Sequence, residues 1–123
     1  MVELAQRYLG LCFGTLTMGP LQANISPDVG AALICEAVER GINFFDTAEL
    51  YGVYEYLRRV LHRVPREAIV ISSRCYQYTY EGMRESLERA LRDIGVDYID
   101  IFGLHEQESR LTLNGHVDAI RYL

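Results

Sequence analysis

Asp46 and Tyr51 stand close together in INFFDTAELYG, residues 42–52. A carboxylate sits where an apolar run ends, and a phenol comes just before Gly52. A phenol has a pKa of about 10. A cation nearby favours the phenolate and brings that value closer to neutral pH. A carboxylate in turn makes a partly buried cation tolerable. Two more groups complete the set: Arg74 follows AIVISS, and His105 follows YIDIFGL. Acid, phenol, cation and imidazole together suit proton transfer to a polar substrate.

The elements that must position these groups alternate between strand and helix patterns. Strands are predicted over 11–16, 42–45, 68–73 and 98–104, and helices over 26–41, 54–62 and 81–95, with a last helix from 114. Ser26 is placed to cap the first helix and Pro27 to begin it, with Gly41 after its end. Its predicted apolar stripe is Val29, Leu33, Ala37 and Val38. The third helix shows Met83, Leu87, Ala90, Leu91 and Ile94 on one side and Gly95 at its end. The last helix is predicted to turn Val117, Ile120 and Leu123 inward.

Strand starts recur about every 30 residues, the period of βαβ units in a parallel α/β architecture. Apolar strands fit a sheet covered by helices. Such sheets collect chemistry at the carboxyl ends of their strands. Side-chain alternation puts Phe44 with Asp46, Ser72 with Arg74, and Gly103 with His105. If these faces agree, acid, cation and imidazole converge, with Tyr51 above them.

The 123 residues are 50% hydrophobic and 24% charged, an ordinary globular composition. No run approaches the ~20 apolar residues of a membrane span, and the first residues make a poor signal peptide. A net charge of −5 argues against a nucleic-acid partner. Arg58, Arg59, Arg63 and Arg66 are expected at a solvated helix end. Three scattered cysteines, Cys12, Cys35 and Cys75, suggest buried small residues in a reducing, cytoplasmic setting. No metal pattern links His62, His105 and His116. All 12 basic residues are arginine, which excludes lysine chemistry from this chain.

Taken together, FGTLTMG (13–19), GINFFDTAELYG (41–52), VISSR (70–74), the run from Met83 to Glu106 and LTLNGHVDAIRYL (111–123) resemble the aldo/keto reductases. The resemblance implies a (β/α)8 TIM barrel that reduces a small carbonyl substrate with NADPH. It makes Tyr51 the general acid, His105 the group that orients the carbonyl, and Asp46 the partner of a cation. Gly14, Thr15 and Asp46 would touch cofactor or substrate at the barrel mouth. Family members carry lysine at the position matching Arg74; a guanidinium there is a broad planar fork and not a compact ammonium. Asp97 and Asp100 read as structural.

Four predicted strands are half of what such a barrel holds. The final residues lie inside a helical pattern. Residues 1–123 are therefore expected to be the first half of a barrel, truncated within a helix. Self-association of two halves is the matching expectation if the half barrel is stable. The alternative is an impaired or regulatory homologue that acts as a ligand-binding or interaction module.

Overall fold

A computed structural model describes residues 10–123. Its elements run β1 (Cys12–Gly14), α1 (Pro27–Glu39), β2 (Phe44–Asp46), α2 (Tyr54–Val60), β3 (Val70–Cys75), α3 (Tyr80–Ile94), β4 (Ile101–Leu104), α4 (Arg110–Asn114) and α5 (Val117–Ile120). Single 3-10 turns lie at Leu16–Met18, Glu49–Tyr51 and Arg66–Ala68. The predicted stops and starts hold where they have a side-chain cause. The Ser26 hydroxyl accepts from the Val29 N–H, Pro27 opens α1, and Gly95 caps α3 in the left-handed region.

The four strands are all parallel and follow chain order, β1-β2-β3-β4. Parallel crossovers are right-handed. Because the order never reverses, they put each connecting helix on the same side of the sheet. Phe13, Phe45, Ile71 and Ser73 point to that side. Phe45 and Ile71 are wholly buried and join the main core with Ile34, Val53, Leu57, Val60, Ile69 and Ile94. The opposite face carries Cys12, Gly14, Phe44, Asp46, Val70, Ser72, Arg74, Ile101 and Gly103. Cys12, Gly14 and Ile101 are exposed there. The sheet is thus helix-covered on one face.

Docking of the helices departs from the predicted stripes. In α1 the buried residues are Gly30, Ala31, Ile34 and Ala37, while Val29 and Leu33 are exposed. Gly30 is the cause. A Cβ there would lie 2.7 Å from Cε2 of Tyr56, so glycine lets α1 sit directly on that ring. The helix predicted from 114 is observed only as the short α5, with the unpredicted α4 ending where it was to begin, and Val117, Ile120 and Leu123 are exposed. His116 and Ala119 turn inward in their place. The His116 ring stacks on Tyr78 at 4.2 Å, and its Nδ1 lies 2.5 Å from the Gln77 carbonyl oxygen.

β4 is shorter than its apolar run because Tyr98 and Asp100 serve a brace. The Asp100 carboxylate accepts from the Ile71 N–H at 2.8 Å and pairs with Arg66 at 2.5 Å. Arg66 also donates to the carbonyls of Ile69 and Tyr98 and lies 4.0 Å from the centroid of the Tyr98 ring. This corrects the expectation of a solvated helix end for Arg66, which is a half-buried tie between strand starts. Arg59 does stay at the surface, paired with Glu55 and Asp28. Of the cysteines, Cys75 is buried, Cys35 half-buried and Cys12 exposed.

Candidate active site

The register sets the site. Gly14 pairs with Asp46, Asp46 with Ser72, and Arg74 with Gly103. The residue after each of the first two strands reaches across the sheet: the Thr15 N–H donates to the Asp46 carbonyl at 3.0 Å, and the Thr47 N–H to that of Ser72 at 2.9 Å. At the other edge the His105 N–H donates to the Cys75 carbonyl at 3.0 Å. The carboxyl ends of the strands are therefore held level, and their terminal side chains meet.

Asp46 and Arg74 form an ion pair between the ends of β2 and β3, each about a quarter to a third exposed. Tyr51 comes from the 3-10 turn Glu49–Tyr51 and is buried, as is His105. Its hydroxyl lies 3.4 Å from His105 Nε2, and the two rings meet edge to face at 5.6 Å. The turn sits close against Gly19, where a Cβ would lie 2.5 Å from the Tyr51 carbonyl oxygen. Gly19 thus serves the FGTLTMG motif by allowing this approach.

Burial lowers the His105 pKa from its ordinary 6.5, the Arg74 charge lowers it further, and Glu106 opposes both. Both of the lowering effects favour the neutral imidazole. His105 Nδ1 is buried with no hydrogen-bond partner among the described residues, so Tyr51 is the polar contact seen for this ring. A neutral imidazole presents one N–H and one lone pair, and either tautomer can meet a phenol.

All four candidate chemical residues, Asp46, Tyr51, Arg74 and His105, come together at one end of the sheet. The candidate contacts divide. Gly14 is exposed beside Asp46, and a Cβ there would meet nothing within 4 Å. Thr15 is wholly buried, and its hydroxyl donates to the Asp46 carbonyl at 2.9 Å, so it supports Asp46 from beneath.

Two residues near the site escaped the sequence reading. The Tyr76 ring stacks on His105 at 4.5 Å and 28°. The Glu106 carboxylate beside its hydroxyl pushes that phenol up to about 12. The signal for Tyr76 was available: continuing the alternation Ser72, Arg74 leads to it. Glu106 had no signal beyond its place after His105. Cys12 shares the open face; although the residue is exposed overall, partial desolvation pushes its thiol up, and Arg74 draws it back.

The family model of the aldo/keto reductases matches residues 10–122. The chain belongs to the aldo/keto reductase family. It is 30% identical over 107 residues to L-galactose dehydrogenase of Arabidopsis thaliana, covering 78% of this chain and 34% of that protein. It is 33% identical over 86 residues to the NAD(P)H-dependent D-xylose reductase of Kluyveromyces lactis, covering 63% and 26%. A solved Pseudomonas aeruginosa chain assigned to the aldo-keto reductases superposes with a TM-score of 0.75 at 26% identity, covering 91% of this chain and 50% of that one. This aldo/keto reductase chain spans about a third or less of those curated relatives and half of the solved neighbour. Its parallel four-stranded sheet with alternating helices is the α/β architecture of the family barrel.

Proposed function

We propose that the protein containing this chain reduces a small carbonyl compound to an alcohol with NADPH, and that residues 1–123 are the first half of its barrel. The observation that carries the reading is the 3.4 Å approach of the Tyr51 hydroxyl to His105 Nε2, beside the Asp46–Arg74 pair. When bound, a reduced nicotinamide supplies the hydride. Tyr51 gives its proton to the carbonyl oxygen. His105 orients that oxygen and steadies the charge developing on it. Arg74 is the cation at that end of the sheet, and Asp46 holds it in place.

The open face fits the nicotinamide end of such a cofactor. Gly14 leaves free space beside Asp46, and Gly103 leaves it beside Arg74. The chain has no Gly-x-Gly-x-x-Gly, so no residue here is assigned to the phosphates. Use of a nicotinamide accords with the NAD(P)H-dependent relative. The choice of NADPH over NADH rests on the family resemblance. We place the reaction in the cytoplasm, in keeping with three unpaired cysteines. No described helix is long and apolar enough to cross a membrane.

The test is carbonyl-dependent oxidation of NADPH and of NADH by the full-length protein, followed by absorbance over a panel of aldehydes and ketones. Tyr51→Phe is expected to lower kcat about 10²- to 10⁴-fold, the usual worth of a positioned acid. A phenylalanine variant as fast as the parent refutes the assignment. The Asp46–Arg74 contact favours a second reading, because a guanidinium engaged by Asp46 acts less on Tyr51. In that reading the protein binds NADPH with little turnover, and Arg74→Lys raises the rate. Equal or faster turnover with arginine removes the second reading.

A further inference from the structure

Ser86 is a polar residue hidden inside the apolar stripe of α3. It is 1% exposed and shares the buried face with Met83, Ala90 and Ile94. Its hydroxyl lies 3.2 and 3.1 Å from the two carboxylate oxygens of Glu49. It accepts from Gln77 Nε2 at 3.0 Å. A hydroxyl has one proton to donate and two lone pairs, so donation to Glu49 and acceptance from Gln77 occur together. Arg89, on the next turn of α3, holds Glu49 from outside at 3.1 Å.

The partners matter for where they sit in the chain. Glu49 opens the 3-10 turn that ends at Tyr51. Gln77 follows Arg74, Cys75 and Tyr76, the last of which stacks on His105. One buried hydroxyl therefore joins the segment that carries the phenol to the segment that carries the cation and covers the imidazole. A second tie runs parallel to it, between Tyr54 and Ser73 hydroxyls at 2.8 Å. Adhesion alone does not call for this. Burying a hydroxyl and most of a carboxylate is unfavourable unless their hydrogen bonds are made, and an alanine would pack there without that demand.

We propose that Ser86 is a positioning residue of the active site: through Glu49 and Gln77 it holds the Tyr51 turn and the segment after Arg74 at a fixed separation. The inference rests on the proton-transfer reading of Tyr51 and His105.

The experiment compares Ser86→Ala, Glu49→Ala, the double variant and Ala90→Gly in the full-length protein. Ala90→Gly loosens the same helix one turn away without touching the clamp. Readouts are kcat and KM for carbonyl reduction, and an NMR titration of His105. Ser86→Ala and Glu49→Ala are each expected to lower kcat about tenfold to a hundredfold, the effect of misplacing reacting groups, with KM little changed. Each also returns the His105 pKa toward its ordinary value, as Arg74 and Tyr76 move off it. The double variant is expected to be no worse than the poorer single one, since both break one linkage. Additive losses, an unchanged His105 titration in Ser86→Ala, or an equal shift in Ala90→Gly overturns the proposal. A parent protein without reductase activity refutes the function reading alone, and the His105 titration then decides the clamp.

Discussion

Asp100 closes the end of the sheet opposite the candidate active site, and replacing it separates a charge effect from a hydrogen-bond effect. Its side chain is 2% exposed and that of its partner Arg66 is 12% exposed. Asp100→Asn keeps an acceptor for the Ile71 N–H but leaves the guanidinium without its counter-charge. Breaking a buried pair from one side costs about 3–5 kcal/mol. Arg66 retains its bonds to the Ile69 and Tyr98 carbonyls and the Tyr98 ring. The low end, about 3 kcal/mol, is therefore expected. Asp100→Ala also strands the Ile71 N–H, adding about 1–3 kcal/mol. Against a total stability of about 5–15 kcal/mol, the alanine variant is at the edge of folding.

The assay is urea unfolding followed by far-ultraviolet circular dichroism. With a slope of about 1.5 kcal/mol/M, the asparagine variant loses about 2 M in midpoint. Exposed Asp97 supplies the control, and Asp97→Asn is expected to stay within about 0.5 kcal/mol of the parent. An Asp100→Asn variant within about 1 kcal/mol of the parent would refute the buried-pair argument. So would equal losses at Asp97 and Asp100.

Gly30→Ala is expected to destabilise by about 1–3 kcal/mol through overpacking, outweighing alanine's helix preference of about 1 kcal/mol. The reason is that the Tyr56 hydroxyl is tied to the Ile25 carbonyl at 2.6 Å and the ring cannot swing away; a raised melting temperature would contradict this. His105 is expected to titrate below 6.5 by NMR, with Arg74→Gln raising its pKa and Glu106→Gln lowering it. A depressed folded pKa means that the unfolded chain binds more protons in that window. The His105 contribution to stability is thus fully present above about 6.5 and is lost as pH falls through the lowered folded value. A melting temperature that rises on acidification through that range, in the parent but not in His105→Gln, would show the sign to be wrong. Tyr54 is buried with its phenol pushed up to about 12. Its contribution is present below about 10 and lost as pH rises through 12, so spectrophotometric titration should find it ionising last with Tyr76.

The sequence by itself determined the strand–helix alternation, because local hydrophobic period and capping chemistry are properties of neighbouring residues. Ser26, Pro27 and Gly95 act within one turn of the chain, and their roles were legible. Period two in the strands was enough to put Asp46 and Arg74 on one face, and with motif spacing it brought Tyr51 and His105 to the same end. Only the tertiary structure decided which side of each helix is buried. α1 turns Gly30 inward instead of Val29 because the Tyr56 ring, from another segment, fits the smaller surface. His116, just before α5, turns inward because the Gln77 carbonyl awaits it. Arg66 looked like one more surface arginine until Asp100, distant in sequence, supplied its charge. Ser86 carried no signal in the sequence, and only Glu49 and Gln77 give its buried hydroxyl two partners. Periodicity reports that a face is apolar, whereas burial of a polar group depends on a partner that the chain delivers from far away.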